Sequence, residues 1–140
     1  MRRASCLLLV ATCLVASHSS AEGSTPRRAT LATFAGYWWG HTRGLRIMRD
    51  GHAAESISSG CCDRVIIVDF RLSRLRGTSR DAAAAATVTA VWVRDRSAFT
   101  KARPAPQLGE TRTIRLRNGV ISETLTGADY CAPRVDKCGA

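Results

Sequence analysis

Apolar residues in this chain recur at every second position in short runs, and turn dipeptides separate the runs. The longest clear run is Val65 to Leu72, where Ile66, Val68, Phe70 and Leu72 alternate with Ile67, Asp69, Arg71 and Ser73. A period of two places alternate side chains on opposite faces of a strand, so this is a strand with one buried face. Leu45-Arg46-Ile47 runs into Asp50-Gly51 and out through Ala53 to Ser58, and Thr113 to Arg117 runs into Asn118-Gly119 and out through Val120 to Leu125. Asp-Gly and Asn-Gly between strand-like runs predict hairpins, because both residues tolerate the positive φ of a type I′ turn. A two-residue loop in the second hairpin puts Ile114, Leu116 and Ile121 on one face, with Arg115 and Arg117 on the other. The same loop in the first sets Arg46 opposite Glu55, a favourable cross-strand pair; a three-residue bulged loop would shift that register.

A turn around Gly77-Thr78-Ser79 leads into Ala84 to Val93, with Val88, Ala90 and Trp92 expected on one face. Ala82 to Ala86 has helical propensity, but a run this short cannot sustain a helix and Thr87-Val88-Thr89 follows at once, which favours a strand. Gly36 precedes a first strand at Tyr37-Trp38-Trp39, and Pro104 and Pro106 mark a loop from about Ser97 to Glu110. The expected fold is all-β: a single antiparallel meander of about seven strands with no clear helix, closed as a small barrel or packed as a sandwich.

The N-terminus departs from this pattern. Arg2 and Arg3 precede an apolar stretch from Cys6 to Ala16, and Ser19-Ser20-Ala21 supplies small residues at a cleavage position. This is the three-part layout of a secretory signal. The expected organisation is therefore a signal peptide over 1–21, an N-terminal linker over 22–35 and a β domain over 36–140. No apolar run reaches the roughly 18 residues of a membrane-spanning helix. The expected location is secreted or otherwise extracytoplasmic. The alternative is a lipid anchor on Cys13, since Leu9-Val10-Ala11-Thr12-Cys13 loosely matches a lipoprotein box.

Loss of the signal leaves four cysteines, Cys61, Cys62, Cys131 and Cys138. An even number in a short exported chain predicts a disulfide framework. Bonding Cys131 to Cys138 would force the neighbours Cys61 and Cys62 together in a strained ring. Two disulfides are expected instead, each joining one of the vicinal pair to Cys131 or Cys138 and stapling the C-terminal tail to mid-chain. Each closes a loop of roughly 70 residues, worth about 4 kcal/mol in the chain-entropy model. Zinc-type C-x2-C spacing is missing, so no metal or cofactor is expected.

Charge adds a candidate function. The net charge is +10, and Arg2 and Arg3 aside, 17 arginines stand against two lysines, Lys101 and Lys137. Guanidinium forks suit phosphate, sulfate and carboxylate, and Arg71, Arg115 and Arg117 fall at outward positions where they would join across strands into an anion-binding stripe. Export excludes intracellular nucleic acid as a partner and leaves an anionic cell-envelope polymer. A basic composition rich in Arg and Ala is equally what a high-GC genome writes.

The case for catalysis is thin. No G-x-S-x-G elbow, H-E-x-x-H helix or phosphate-cradling glycine loop is present. His41 is the best lone acid–base candidate, and a His at a strand end is more often a surface group. The hairpins share the pattern [DN]-G-x-x-x-E-[ST], from Asp50 and from Asn118, which nominates Glu55 and Glu123 as paired carboxylates. Turn chemistry alone produces the same echo.

Gly36-Tyr37-Trp38 resembles the G-x-W signature that opens the first strand of the calycin barrels, the lipocalin and avidin-like families. That resemblance implies a Trp closing one end of a barrel under a late-strand Arg, here Trp38 with Arg112 or Arg115, and a cavity for a hydrophobic small molecule. The chain is short for a lipocalin and lacks the polar biotin-contacting set of avidins. The same start, with Gly60-Cys61-Cys62-Asp63 and Tyr130-Cys131-Ala132-Pro133, is similar to small exported disulfide-bonded β proteins of high-GC Gram-positive bacteria without assigned function. The expected function is an exported, non-enzymatic binding or structural module with a basic surface for anionic envelope components. The alternatives are a barrel with a ligand cavity and a secreted interaction or inhibitor module presenting the Ser97 to Gly109 loop.

Overall fold

The computed structural model describes residues 26–59, 63–99, 104–122 and 125–133. The signal-peptide and lipid-anchor expectations lie outside these residues. A four-residue helix, α1 (Leu31–Phe34), is followed by eight strands: β1 (Gly36–Gly40), β2 (Arg43–Ile47), β3 (His52–Ser59), β4 (Asp63–Gly77), β5 (Asp81–Val93), β6 (Thr111–Arg117), β7 (Val120–Ser122) and β8 (Asp129–Cys131). A short 3-10 turn, Arg96–Ala98, follows β5. Each strand pairs antiparallel with the next, and β8 returns to β1, closing the barrel. Closure leaves no open sheet edge across the row that joins them, which is why so small a β domain can hide its polar backbone.

Two parts of the expected fold class are corrected. The described residues form eight strands where about seven were expected, and of the two expected arrangements they take the barrel. The expected framework of two disulfides is corrected as far as the described residues go: no Cys–Cys pair lies among them, and backbone pairing closes the wall, with Trp39 opposite Cys131. Gly40 permits that approach: a Cβ there would stand 2.9 Å from the Asp129 carbonyl oxygen. Cys131, the single cysteine among the described residues, does not titrate because it is disulfide-bonded. Cys61, Cys62 and Cys138 lie outside those residues.

The core fills the barrel. Ile66, Val68, Phe70 and Leu72 of β4 point inward as their alternation predicts, facing a run of small side chains, Ala82, Ala84 and Ala86, on β5. Ile114, Leu116 and Ile121 join them, in the register of a two-residue turn with φ 51° at Asn118 and 77° at Gly119. Alternating large and small residues is how a narrow barrel fills its lumen without voids. At one end α1 acts as a plug: Phe34 is wholly buried and its carbonyl accepts the Trp38 indole N–H at 2.8 Å. The segment before α1 crosses the β4–β5 turn, where the Ala29 N–H donates to Gly77 at 3.0 Å and the Ser79 N–H to Arg27 at 2.8 Å.

Two registers differ from expectation, each for a local reason. The β2–β3 connection has three residues between the bonded positions Met48 and His52, with Gly51 at φ 87°. That extra residue places Glu55 opposite Leu45 and Arg46 opposite Ala54, so Glu55 faces the lumen and the expected Arg46–Glu55 pair does not form. On β5 a bulge pairs Asp69 with Ala90 but Phe70 with Val88. The extra residue, Thr89, reverses the alternation. Val88 stays buried, whereas Ala90 is exposed and Trp92 is 48% exposed on the outer wall.

Candidate functional site

The far end of the barrel from α1 carries its interior polar chemistry. Glu55 is the one buried charged-type residue among the described core positions. Its Oε1 accepts hydrogen bonds from the Tyr130 hydroxyl of β8 and the Thr126 hydroxyl of the β7–β8 connection. A buried carboxyl group is tolerable only when hydrogen bonds replace its water. Here those bonds tie β3 to β8 across the lumen and hold down the connection whose Leu125 and Ala128 are buried over the mouth. Arg112 supports the same connection, donating from Nη1 to the Leu125 carbonyl at 2.9 Å and meeting Glu110 Oε1 at 2.6 Å. The Gln107 backbone N–H, 2.9 Å from Glu110 Oε2, holds the Glu110 carboxyl below the usual range; Arg112 adds to this and partial burial opposes it. Together these bonds fix the mouth.

The sequence-predicted residues are distributed as follows. Trp38 is buried in β1, bonded to Phe34 at the α1 end, while the bonds of Arg112 described above are to Glu110 and Leu125 at the mouth. His41 is exposed in the β1–β2 turn, where its carbonyl accepts from Thr42 and Arg43. Glu123 lies outside the described residues, so the Glu55–Glu123 pairing does too. No group of three His, Cys, Asp or Glu that could hold a metal occurs among the described residues. No helix among them is long and apolar enough to cross a membrane. The described part of the Ser97 to Gly109 loop borders an open depression of about 410 Å³ lined by Pro104, Ala105, Gln107 and Leu108.

The basic positions converge more than the sequence suggested. Arg71 is exposed on β4, with Nη1 3.3 Å from His52 Nε2. Arg115 lies opposite Ala83 on β5, and Arg76 of β4 flanks the same alanine from the other side. Arg117 meets Asp81 at 3.4 Å. Arg80 sits in the β4–β5 turn, against which the N-terminal segment brings Arg27 and Arg28 through the Arg28–Thr78 bridge. Arg74, at a β4 irregularity with φ 48°, completes the group. Arg27, Arg28, Arg74, Arg76, Arg80 and Arg115 are exposed, and Asp50 and Asp81 are the acids described at this end. Sequence reasoning missed Arg27, Arg28, Arg76 and Arg80 because only the barrel's end brings them beside Arg115.

An eight-stranded closed barrel with exposed aromatic residues, Tyr37, Trp39 and Trp92, is consistent with a binding module. The likeness drawn from the sequence is corrected in its disulfides: the described residues form a closed eight-stranded antiparallel barrel with no Cys–Cys pair among them. Compared with known proteins, the chain matches no family model, no curated protein and no solved structure.

Proposed function

We propose that this protein is an exported, non-enzymatic binding module that holds an anionic envelope polymer on the arginine-rich end of its barrel. The observation that carries this reading is the convergence of Arg76, Arg80 and Arg115 with Arg27 and Arg28 around the β4–β5 turn, where Asp81 is engaged by Arg117. Guanidinium groups on a rigid sheet end present forks at fixed spacing, which suits successive phosphate or sulfate groups along a polymer. Like charges kept this close repel, and an anionic ligand relieves that repulsion.

Surface binding is favoured over a lumenal ligand by the packing. Phe34, Phe70, Leu45 and Tyr130 are wholly buried within the barrel, and open depressions lined by residues between Pro104 and Glu110 and by Ala35 to Tyr37 with Arg46 to Arg49 lie at its surface. The test is binding of the full chain to fluorescent inorganic polyphosphate, against a variant carrying Arg76→Gln, Arg80→Gln and Arg115→Gln. The reading predicts tight binding that weakens at least tenfold in the variant at unchanged fold. Equal affinity of the two proteins for polyphosphate would overturn it.

A further inference from the structure

On the outer wall, away from the arginine-rich end, two registers run side by side across four strands. Trp39 of β1 lies opposite Gly44, Gly44 opposite Ser56 and Ser56 opposite Ile67; in the next row Tyr37 lies opposite Arg46, Arg46 opposite Ala54 and Ala54 opposite Asp69. Tyr37 is 44% and Trp39 52% exposed, with ring centroids 4.3 Å apart and planes tilted by 51°. The Tyr37 ring leans over β2, because Gly44 leaves the space: a Cβ there would stand 3.0 Å from the Tyr37 hydroxyl. Beyond the rings the floor is small, Gly44, Ala54 and Ser56, and roughly 10 Å wide from two adjacent strand spacings. Arg46 and Asp69 flank Ala54, and neither makes an ion pair or side-chain hydrogen bond among the described residues.

From this juxtaposition we infer a second binding site, for the sugar rings of a neutral polysaccharide laid across β1–β4. The face of a pyranose presents C–H bonds whose positive edge is attracted to the negative face of an aromatic ring. Its equatorial hydroxyls need both donors and acceptors, which the Arg46 guanidinium, the Asp69 carboxylate and the Ser56 hydroxyl supply. Within the two rows one arginine stands against one aspartate, so the complementary ligand is neutral, unlike that of the arginine-rich end. A lipid surface fits less well. The rings lie on a strand wall beside two charged side chains, Arg46 and Asp69, that insertion would desolvate at a cost of several kcal/mol. The inference is independent of the polyanion reading, because the two sites share no residue.

The test is depletion of the full chain by insoluble cellulose, chitin and mannan, in about 0.5 M salt, where charges beyond a few ångströms are screened. Retention is expected on at least one of the three. Trp39→Ala is expected to weaken it about tenfold, the loss of roughly 1.4 kcal/mol of stacking. Gly44→Ala, which pushes the Tyr37 ring off the wall, is expected to weaken it several-fold. Trp39 is exposed and Gly44 lies beneath the Tyr37 ring on the same outer face, and circular dichroism checks that the fold survives. The Arg76→Gln, Arg80→Gln, Arg115→Gln variant is expected to bind these polymers as the wild type does. No retention on any of the three, retention indifferent to Trp39→Ala, or Trp39-dependent binding only to phosphatidylglycerol vesicles would each overturn the inference.

Discussion

Removal of a single oxygen tests whether the Glu55 cluster holds the barrel mouth together. Tyr130 is wholly buried on β8, and its hydroxyl donates to Glu55 on β3, so Tyr130→Phe deletes a cross-lumen hydrogen bond while keeping the ring that fills the core. A hydrogen bond to a carboxylate contributes about 1.5–3 kcal/mol net, and its loss also strips the buried carboxyl group of one compensating partner. A destabilisation of about 2 kcal/mol follows, which lowers Tm by roughly 8–12 °C in a domain of this size. Glu55→Ala should cost more, about 3–5 kcal/mol, because it removes the acceptor shared by the Tyr130 and Thr126 hydroxyls and leaves a cavity. Urea titration followed by far-ultraviolet circular dichroism measures both, provided the transition is two-state. In the double variant the Tyr130 loss should largely vanish, since its acceptor is already gone. A Tyr130→Phe protein within 0.5 kcal/mol of the wild type would refute the argument that this bond braces the barrel.

Two further outcomes follow from local geometry. Gly77→Ala at the β4–β5 turn should destabilise the fold by about 3 kcal/mol or more in the same assay, because φ is 87° and the new Cβ would lie 2.2 Å from the Asp81 carbonyl oxygen. The Glu110 carboxyl should titrate below its ordinary value of 4.5, by carbon-detected NMR, because the folded state favours its charged form through Gln107 and Arg112. Its stabilising contribution is therefore complete above the unfolded pKa and lost as pH falls below about 4.5 through the folded value; a midpoint at or above 4.5 contradicts this.

The sequence exposed the elements better than their registers. The alternation in Val65 to Leu72 and the Asn118-Gly119 turn lead directly to β4 and to the β6–β7 hairpin, because both signals are local. Glu55 was misplaced because one extra loop residue at Met48–His52 decides which face of β3 points inward. Trp92 was misplaced by the bulge at Thr89, a feature that no period-two pattern announces. The aromatic wall was illegible for a related reason. Trp39, Gly44, Ser56 and Ile67 are distant in sequence and become one row only after three registers are set. Arg71, Arg115 and Arg117 are exposed, yet Arg117 is engaged by Asp81, and the residues that converge on Arg115 come from β4, the β4–β5 turn and the N-terminal segment.

The central claim is that the arginine-rich end is a polyanion site, and salt dependence tests it most directly. Each arginine engaged with the polymer should contribute roughly 0.7–0.9 to the slope of log affinity against log salt. For the full chain and polyphosphate, engagement of Arg76, Arg80 and Arg115 predicts a slope steeper by about 2–3 than in the triple Gln variant. Slopes that coincide in the two proteins would contradict the claim.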